Sequence, residues 1–230
     1  MVTNQGYRTM YLRSGETPVG VEEGVLYCDP LTSLIAYPSF EQYLIAMLPA
    51  LVAEEMHIAI GDVDGLREYV SERRASDPDT FGHLAGNACM RTVGELTSNW
   101  AAKHLKDVVF HICGTFGGDE VIVAAGGLSH DAFVDKVHCL CRDIKVSSPR
   151  PCSFALATLE SCTVPRQEAR NAYRALVSLV DARLFSMKED ARLAGGHLEG
   201  AVADLGTVSL SDRGPNQDGI EYPATIGGGW

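Results

Sequence analysis

The sequence predicts an α+β (α/β) fold, a mixed β-sheet flanked by helices on both faces. Helix-like and strand-like apolar patterns alternate in the order α β α α β β α β α. Two adjacent strand-like runs, around Val108 to Ile112 and Val121 to Val123, enclose Gly117-Gly118-Asp119-Glu120, which reads as a β-hairpin with acids at its tip. No internal repeat is visible, and the known arrangement nearest to this order is ferredoxin-like.

Each element has its own signal. Residues 1–25 are polar, contain Gly and Pro, and read as a flexible arm. Ser39-x-x-Gln42 resembles a capping box opening an apolar helix to about Glu55, with Pro49 kinking it. Met56 to Ile60 is a short apolar run feeding Gly61-Asp62-Val63-Asp64-Gly65, a buried strand ending in a turn. A helix over Leu66 to Arg74 follows, then a polar loop from Ala75 to Thr80. Cys89, Val93, Leu96 and Trp100 recur at helical spacing, which predicts a helix over 84–103. The hairpin takes 108–125, a helix 130–144 and a strand Ser153 to Leu159. Pro165 opens a long helix to Arg192. Residues 194–230 are Gly-rich with few large apolar side chains, and read as a disordered tail. The folded domain is therefore expected over 26–193.

Composition narrows the function. The 230 residues carry a net charge of −11, which argues against a nucleic-acid footprint and leaves room for a small phosphorylated ligand. No apolar run reaches the roughly 18 residues of a membrane span. Seven cysteines and a polar N-terminus lead to the expectation of a cytoplasmic protein with reduced thiols. His138-Cys139-Leu140-Cys141 falls in a helical pattern that points its side chains to different sides, so it reads as packing rather than a metal cluster.

Acids and bases mark out a nucleotide site. Asp62 and Asp64 are two apart in a strand and share a side, and paired carboxylates suit Mg²⁺; the alternative is a pair of solvated turn aspartates. Gly65 and Leu66 open a helix whose free N–H groups can take a phosphate. Asp119 and Glu120 are adjacent in extended chain and point oppositely, so one of them faces Asp62. If Asp119 does, carboxylates from neighbouring strands can hold one or two metal ions for phosphoryl chemistry; the alternative is a hydrophilic hairpin tip. Lys188 and Arg192 lie four apart on one helix face, placed to grip β- and γ-phosphates or simply solvated beside Glu189 and Asp190. Asn87 offers a donor and an acceptor to a base edge, and His83 reads as structural.

Together these pieces resemble the GGDEF family, the diguanylate cyclases, across residues 26–193. Asp29-Pro30-Leu31-Thr32-Ser33-Leu34 is similar to the family's DxLTGL, Asp62-x-Asp64 to its first metal motif, and Phe81-Gly82-His83-x-x-Gly86-Asn87 to YGHxxGD. Gly117 to Val121 resembles GGDEF itself, and Asp181-x-x-Leu184-Phe185-x-x-Lys188-x-x-x-Arg192 resembles ADxALYxAKxxGR. The resemblance implies a nucleotidyl-cyclase-type sheet with Mg²⁺ or Mn²⁺ held by Asp62, Asp119, Glu120 and the Val63 carbonyl. It implies that Glu120 helps deprotonate a 3′-hydroxyl. Gly65, Leu66, Arg67, Lys188 and Arg192 would hold the triphosphate, with Gly117 and Gly118 beside the nucleotide. Two domains would meet as a homodimer and join two GTP into cyclic di-GMP.

The chain also departs from the family. The guanine-reading Asn is replaced by Val70 (or Pro78, counting back from Gly82), residues are inserted before Phe81, and the second base reader, an Asp, is Asn87. An amide cannot offer guanine two acceptors. Val121 stands for Phe, and the RxxD product-inhibition motif is absent, with Val108 and His111 in its place. The sequence therefore predicts a cyclic di-GMP synthase, with two alternatives. One is a synthase that accepts ATP as well as or instead of GTP; the other is an inactive module binding nucleotide or a regulatory protein.

Overall fold

The structure is a computed structural model describing residues 8–11, 25–50, 55–76, 82–160 and 164–209. Their elements are β1 (Arg8–Tyr11), β2 (Val25–Cys28), β3 (Ile35–Ala36), α1 (Tyr37–Met47), β4 (Met56–Val63), α2 (Leu66–Ser76), α3 (Gly82–His104), β5 (Phe110–Gly117), β6 (Glu120–Gly126), α4 (His130–Ser147), β7 (Cys152–Leu159), α5 (Ala169–Leu193) and β8 (Val202–Val208). The described strands form one eight-stranded sheet in the order β1-β2-β3-β5-β6-β4-β7-β8. Pairing is antiparallel for β5–β6, β6–β4 and β4–β7, and parallel for β3–β5 and β7–β8, so the sheet is mixed as expected.

Alternation along the central strands divides the core in two. Ile58 and Ile60 of β4, with Ile122 and Ala124 of β6, face α1 and α5, where Phe40, Leu44, Tyr173, Leu176 and Val180 close over them. Ala59 and Val63, with Val121 and Val123, face α3 and α4, represented by Met90, Val93, Trp100, Phe133 and Val137. All of β4 is buried because helices cover both of its faces, which is why its run lacks polar alternation. By this parity Asp62 and Glu120 belong to the α5 face.

Several boundaries differ from the sequence reading. Ser39 does not cap a helix: α1 starts at Tyr37, and the fully buried Ser39 Oγ accepts the Tyr27 N–H at 3.0 Å, fastening β2. The helix ends at Met47, Leu48–Ala50 form a 3₁₀ turn around Pro49, and the expected continuation over 51–54 lies outside the described residues. Pro165 precedes α5, its carbonyl accepting the N–H groups of Glu168 and Ala169 at 2.8 and 3.1 Å. The arm and the tail are corrected in part. Arg8–Tyr11 pairs with β2, and Val202–Val208 pairs with β7, where the sequence predicted disorder from 194 onward. Ala75 and Ser76, expected in a polar loop, complete the last turn of α2; the remainder of that expected loop, residues 1–7 and 12–24 of the arm, and residues 210–230 lie outside the described residues.

Candidate active site

Strand register assembles the acids. The Cα of Asp62, near the end of β4, pairs with that of Glu120, first residue of β6. Directly paired residues share a face, so Glu120 rather than Asp119 stands across from Asp62. Asp119 is the second central residue of the two-residue turn Gly118-Asp119, and its carbonyl accepts the Val63 N–H at 3.0 Å, tying the hairpin tip to β4. Gly118 has φ +69°, while Asp119 is not left-handed, the pattern of a type II′ turn with glycine first. Thr115 Oγ1 donates to the Glu120 carbonyl at 2.7 Å and accepts the Gly117 N–H at 3.0 Å, holding the irregular register before the turn.

The cluster is strongly acidic. Asp62, 8% exposed, forms an ion pair through Oδ1 with Lys188 of α5. Burial, then the Asp119 charge, raise Asp62 to about 6 against the pull of Lys188. Burial, then the charges of Asp62, Asp119 and Asp181, raise Glu120 to about 7. Asp181, a turn-matched residue on the Lys188 face of α5, is itself raised by burial, and the sequence reading gave it no role. Both folded-state values lie above the unfolded ones, so through this window the native chain binds more protons than the unfolded chain. The stability these groups contribute therefore falls as pH rises from the ordinary carboxylate range toward about 7. In chelator, Tm of Glu120→Gln should fall less than that of the parent chain between about pH 4.5 and 7.5. Parallel curves would remove the coupling.

The donor set, all carboxylate and carbonyl oxygen, suits Mg²⁺ or Mn²⁺. The oxygens of Asp62, Asp119 and Glu120 do not all lie within 4.8 Å of one another. Asp119 and Glu120 are only half-buried. Asp64 lies on the same side as Asp62, as expected, since it bonds Ser153, the β7 residue paired with Asp62, and its charge raises Asp62; its hydrogen bonds, however, go to β7 and Gly200 rather than to the hairpin. Its Oδ2 accepts the Ser153 hydroxyl at 2.7 Å and the Gly200 N–H at 2.9 Å. Its Oδ1 is buried without a hydrogen-bond partner, and burial raises its pKa.

The turn after β4 has the shape the sequence foresaw, with an addition it did not. Gly65 has φ +62° and leads into α2, at whose start lie the half-buried Leu66 and the exposed Arg67. Arg150, from the segment before β7, donates through Nε to the Asp64 carbonyl at 2.7 Å, and its guanidinium lies where a Gly65 side chain would stand. No local pattern marked Arg150; only the β4–β7 pairing brings it there. Arg192 is not gathered into the site, since it is exposed and bonds Glu189 at 3.0 and 2.5 Å, the solvated alternative named above.

Val70 and Asn87, the positions where the resemblance would put base readers, lie on α2 and α3. Val70 Cγ2 lies 3.1 Å from where a Gly86 β-carbon would stand, so it packs α2 against α3. Asn87 on α3 is exposed. The side chain of His83 and the whole of Phe81 lie outside what is described.

This architecture is that of the GGDEF domain. The GGDEF domain of DgcB from Caulobacter crescentus, solved in complex with c-di-GMP, superposes with a TM-score of 0.55 at 15% identity, over 77% of this chain and 94% of that one. A microbial GGDEF domain described for its interaction with bis-(3,5)-cyclic di-GMP gives 0.53 at 21% identity, over 77% and 95%. The GGDEF domain of FimX from Pseudomonas aeruginosa gives 0.53 at 13%, over 77% and 98%. No family model matches the chain, and no curated protein matches it. Among the described residues no helix is long and apolar enough to cross a membrane.

Proposed function

We propose that this chain belongs to the GGDEF family and is a cytoplasmic nucleotidyl cyclase that joins two purine nucleoside triphosphates, GTP first, into a cyclic dinucleotide. The observation that carries the reading is the convergence of Asp62, Asp119, Glu120 and Lys188 at one end of a fold shared with domains solved in complex with c-di-GMP.

Asp62, Asp119, Glu120 and the Val63 carbonyl would hold Mg²⁺ or Mn²⁺, which supplies Lewis-acid polarisation of phosphate oxygens and of the attacking hydroxyl. Glu120, at about 7, is matched to accept a 3′-hydroxyl proton at neutral pH. The N–H groups of Gly65, Leu66 and Arg67, at the start of α2, would take phosphate oxygens. Lys188 neutralises phosphate charge beside Asp62, and Arg192 joins it on releasing Glu189. Gly117 and Gly118, with open space where side chains would be, leave room for the nucleotide. The 3′-oxygen bonds to the α-phosphorus of the facing nucleotide as the bond to pyrophosphate breaks. One domain supplies one nucleotide, so two chains meet as a homodimer.

The test is incubation with Mg²⁺ or Mn²⁺ and GTP, ATP or both, followed by mass spectrometry. Cyclic di-GMP from GTP alone supports the reading; a product that requires ATP supports the altered-base variant. Binding without product would overturn catalysis. It would favour a module that binds nucleotide or a regulatory protein, which the Arg192–Glu189 pair and the packed Val70 also support. Asn87→Asp, restoring a two-acceptor reader, is expected to raise the preference for GTP over ATP by about 10- to 100-fold, the worth of hydrogen bonds to a charged group. Competition assays with both nucleotides read this directly; an unchanged ratio would place base recognition elsewhere.

A further inference from the structure

We propose that His104, Cys139 and Asp143 form a zinc site on the α3/α4 face, separate from the acids on the α5 face. Cys139 and Asp143 are four apart on α4 and share a side, and His104 ends α3 alongside them. Cys139 Sγ lies 3.8 Å from His104 Nε2 and 3.8 Å from Asp143 Oδ2, and the three ligand atoms fall within 4.8 Å of one another. Tetrahedral zinc, with bonds of about 2.3 Å to sulfur and about 2.0 Å to nitrogen or oxygen, needs such atoms about 3.5 Å apart. Small rotations of side chains close that gap.

The donors select the metal. Thiolate with imidazole favours Zn²⁺ over Mg²⁺, whereas the Asp62 cluster offers only oxygen. Cys28, Cys89, Cys113, Cys141 and Cys152 are buried, and Cys139 is the one described cysteine that is not. Packing therefore accounts for the other five and leaves Cys139, between an imidazole and a carboxylate, without such a reason. All three ligands reach solvent, which gives an ion a path in. Three protein ligands leave a fourth position for water, the composition of exchangeable rather than closed sites. A bound ion clamps the end of α3 to α4. The paired signal escapes local reading because His138, the neighbour of Cys139, points elsewhere, and the imidazole used comes from another helix.

Cobalt titration of the reduced, chelator-stripped protein tests the proposal. One equivalent of Co²⁺ should produce thiolate-to-cobalt charge-transfer absorption, displaced by Zn²⁺, absent in Cys139→Ser and His104→Ala, and retained in Cys162→Ser. Zn²⁺ in hundredfold excess over its Kd should raise Tm by on the order of 5 °C in the parent chain and in Cys162→Ser, but not in Cys139→Ser. Cobalt bound without a thiolate band, or a band that survives either ligand substitution or disappears in Cys162→Ser, would overturn it. Circular dichroism of each variant separates loss of the site from loss of the fold.

Discussion

Asp119→Ala is expected to lower cyclic-dinucleotide synthesis by on the order of 10³-fold while the chain stays folded. The side chain lies half-buried at the second position of a tight turn, and the bond that holds the turn to β4 uses its backbone carbonyl, which alanine retains. Its carboxylate does two other things. It would supply one of few negative oxygens to a divalent ion, and ligands of this kind are worth several kcal/mol in phosphoryl transfer, each 1.4 kcal/mol being about tenfold. It also raises both Asp62 and Glu120. Removing it lets Glu120 fall toward its ordinary value, so residual activity should show its acidic, ascending limb at lower pH. Initial rates across pH, measured by product quantification, read both effects. Activity within tenfold of the parent chain and an unmoved profile would sink the metal and electrostatic roles together.

Ending the chain after Ala194 is expected to cost about 3–5 kcal/mol and lower Tm by on the order of 10 °C relative to a chain ending at Ser209. The lost segment contains β8, whose parallel pairing covers β7 and buries Ala203. It also removes the Gly200 N–H from Asp64 and the Ala201 N–H, which donates to Ser153 Oγ at 2.9 Å. Asp64 would keep Ser153 alone, and a carboxylate in that position without its partners is expensive. His130, which contacts Asp204 at 3.0 Å and Thr158 at 2.8 Å, would lose one end of the path that continues through Thr158 to buried His57. Thermal melts of the two chains decide the matter; equal Tm would mean that the segment is an accessory.

The parts of this fold that repeat locally were legible. The hairpin showed itself because two glycines sit between alternating runs, and α3, α4 and α5 because their apolar residues recur at helical spacing. Elements fixed by distant partners were not. Val202–Val208 is poor in large apolar residues and sits among glycines, so composition argued for disorder, whereas what orders it is the free edge of β7. Ser39 has a capping residue's chemistry but spends it on Tyr27 across a strand. In the candidate site, spacing found Asp62, the hairpin acids and Lys188. It could not tell that Glu120 would pair with Asp62, that Asp64 would turn to Ser153, or that Arg192 would turn to Glu189. Arg150 and Asp181 enter only through tertiary packing.

The bond between Asp64 and Gly200 spans 136 residues of sequence. Closing a loop of that size is slow and comes late, since its entropy is lost before the contact returns anything. A chain emerging from the ribosome from its N-terminus can build β4 and the hairpin well before this brace exists. The turn at Gly65 should therefore gain its final shape last, and hydrogen exchange during refolding should find its amides protected after those of the hairpin. On the proposed reading, nucleotide binding by the nascent protein would then wait for β8, so that a partly made chain would not sequester nucleotide.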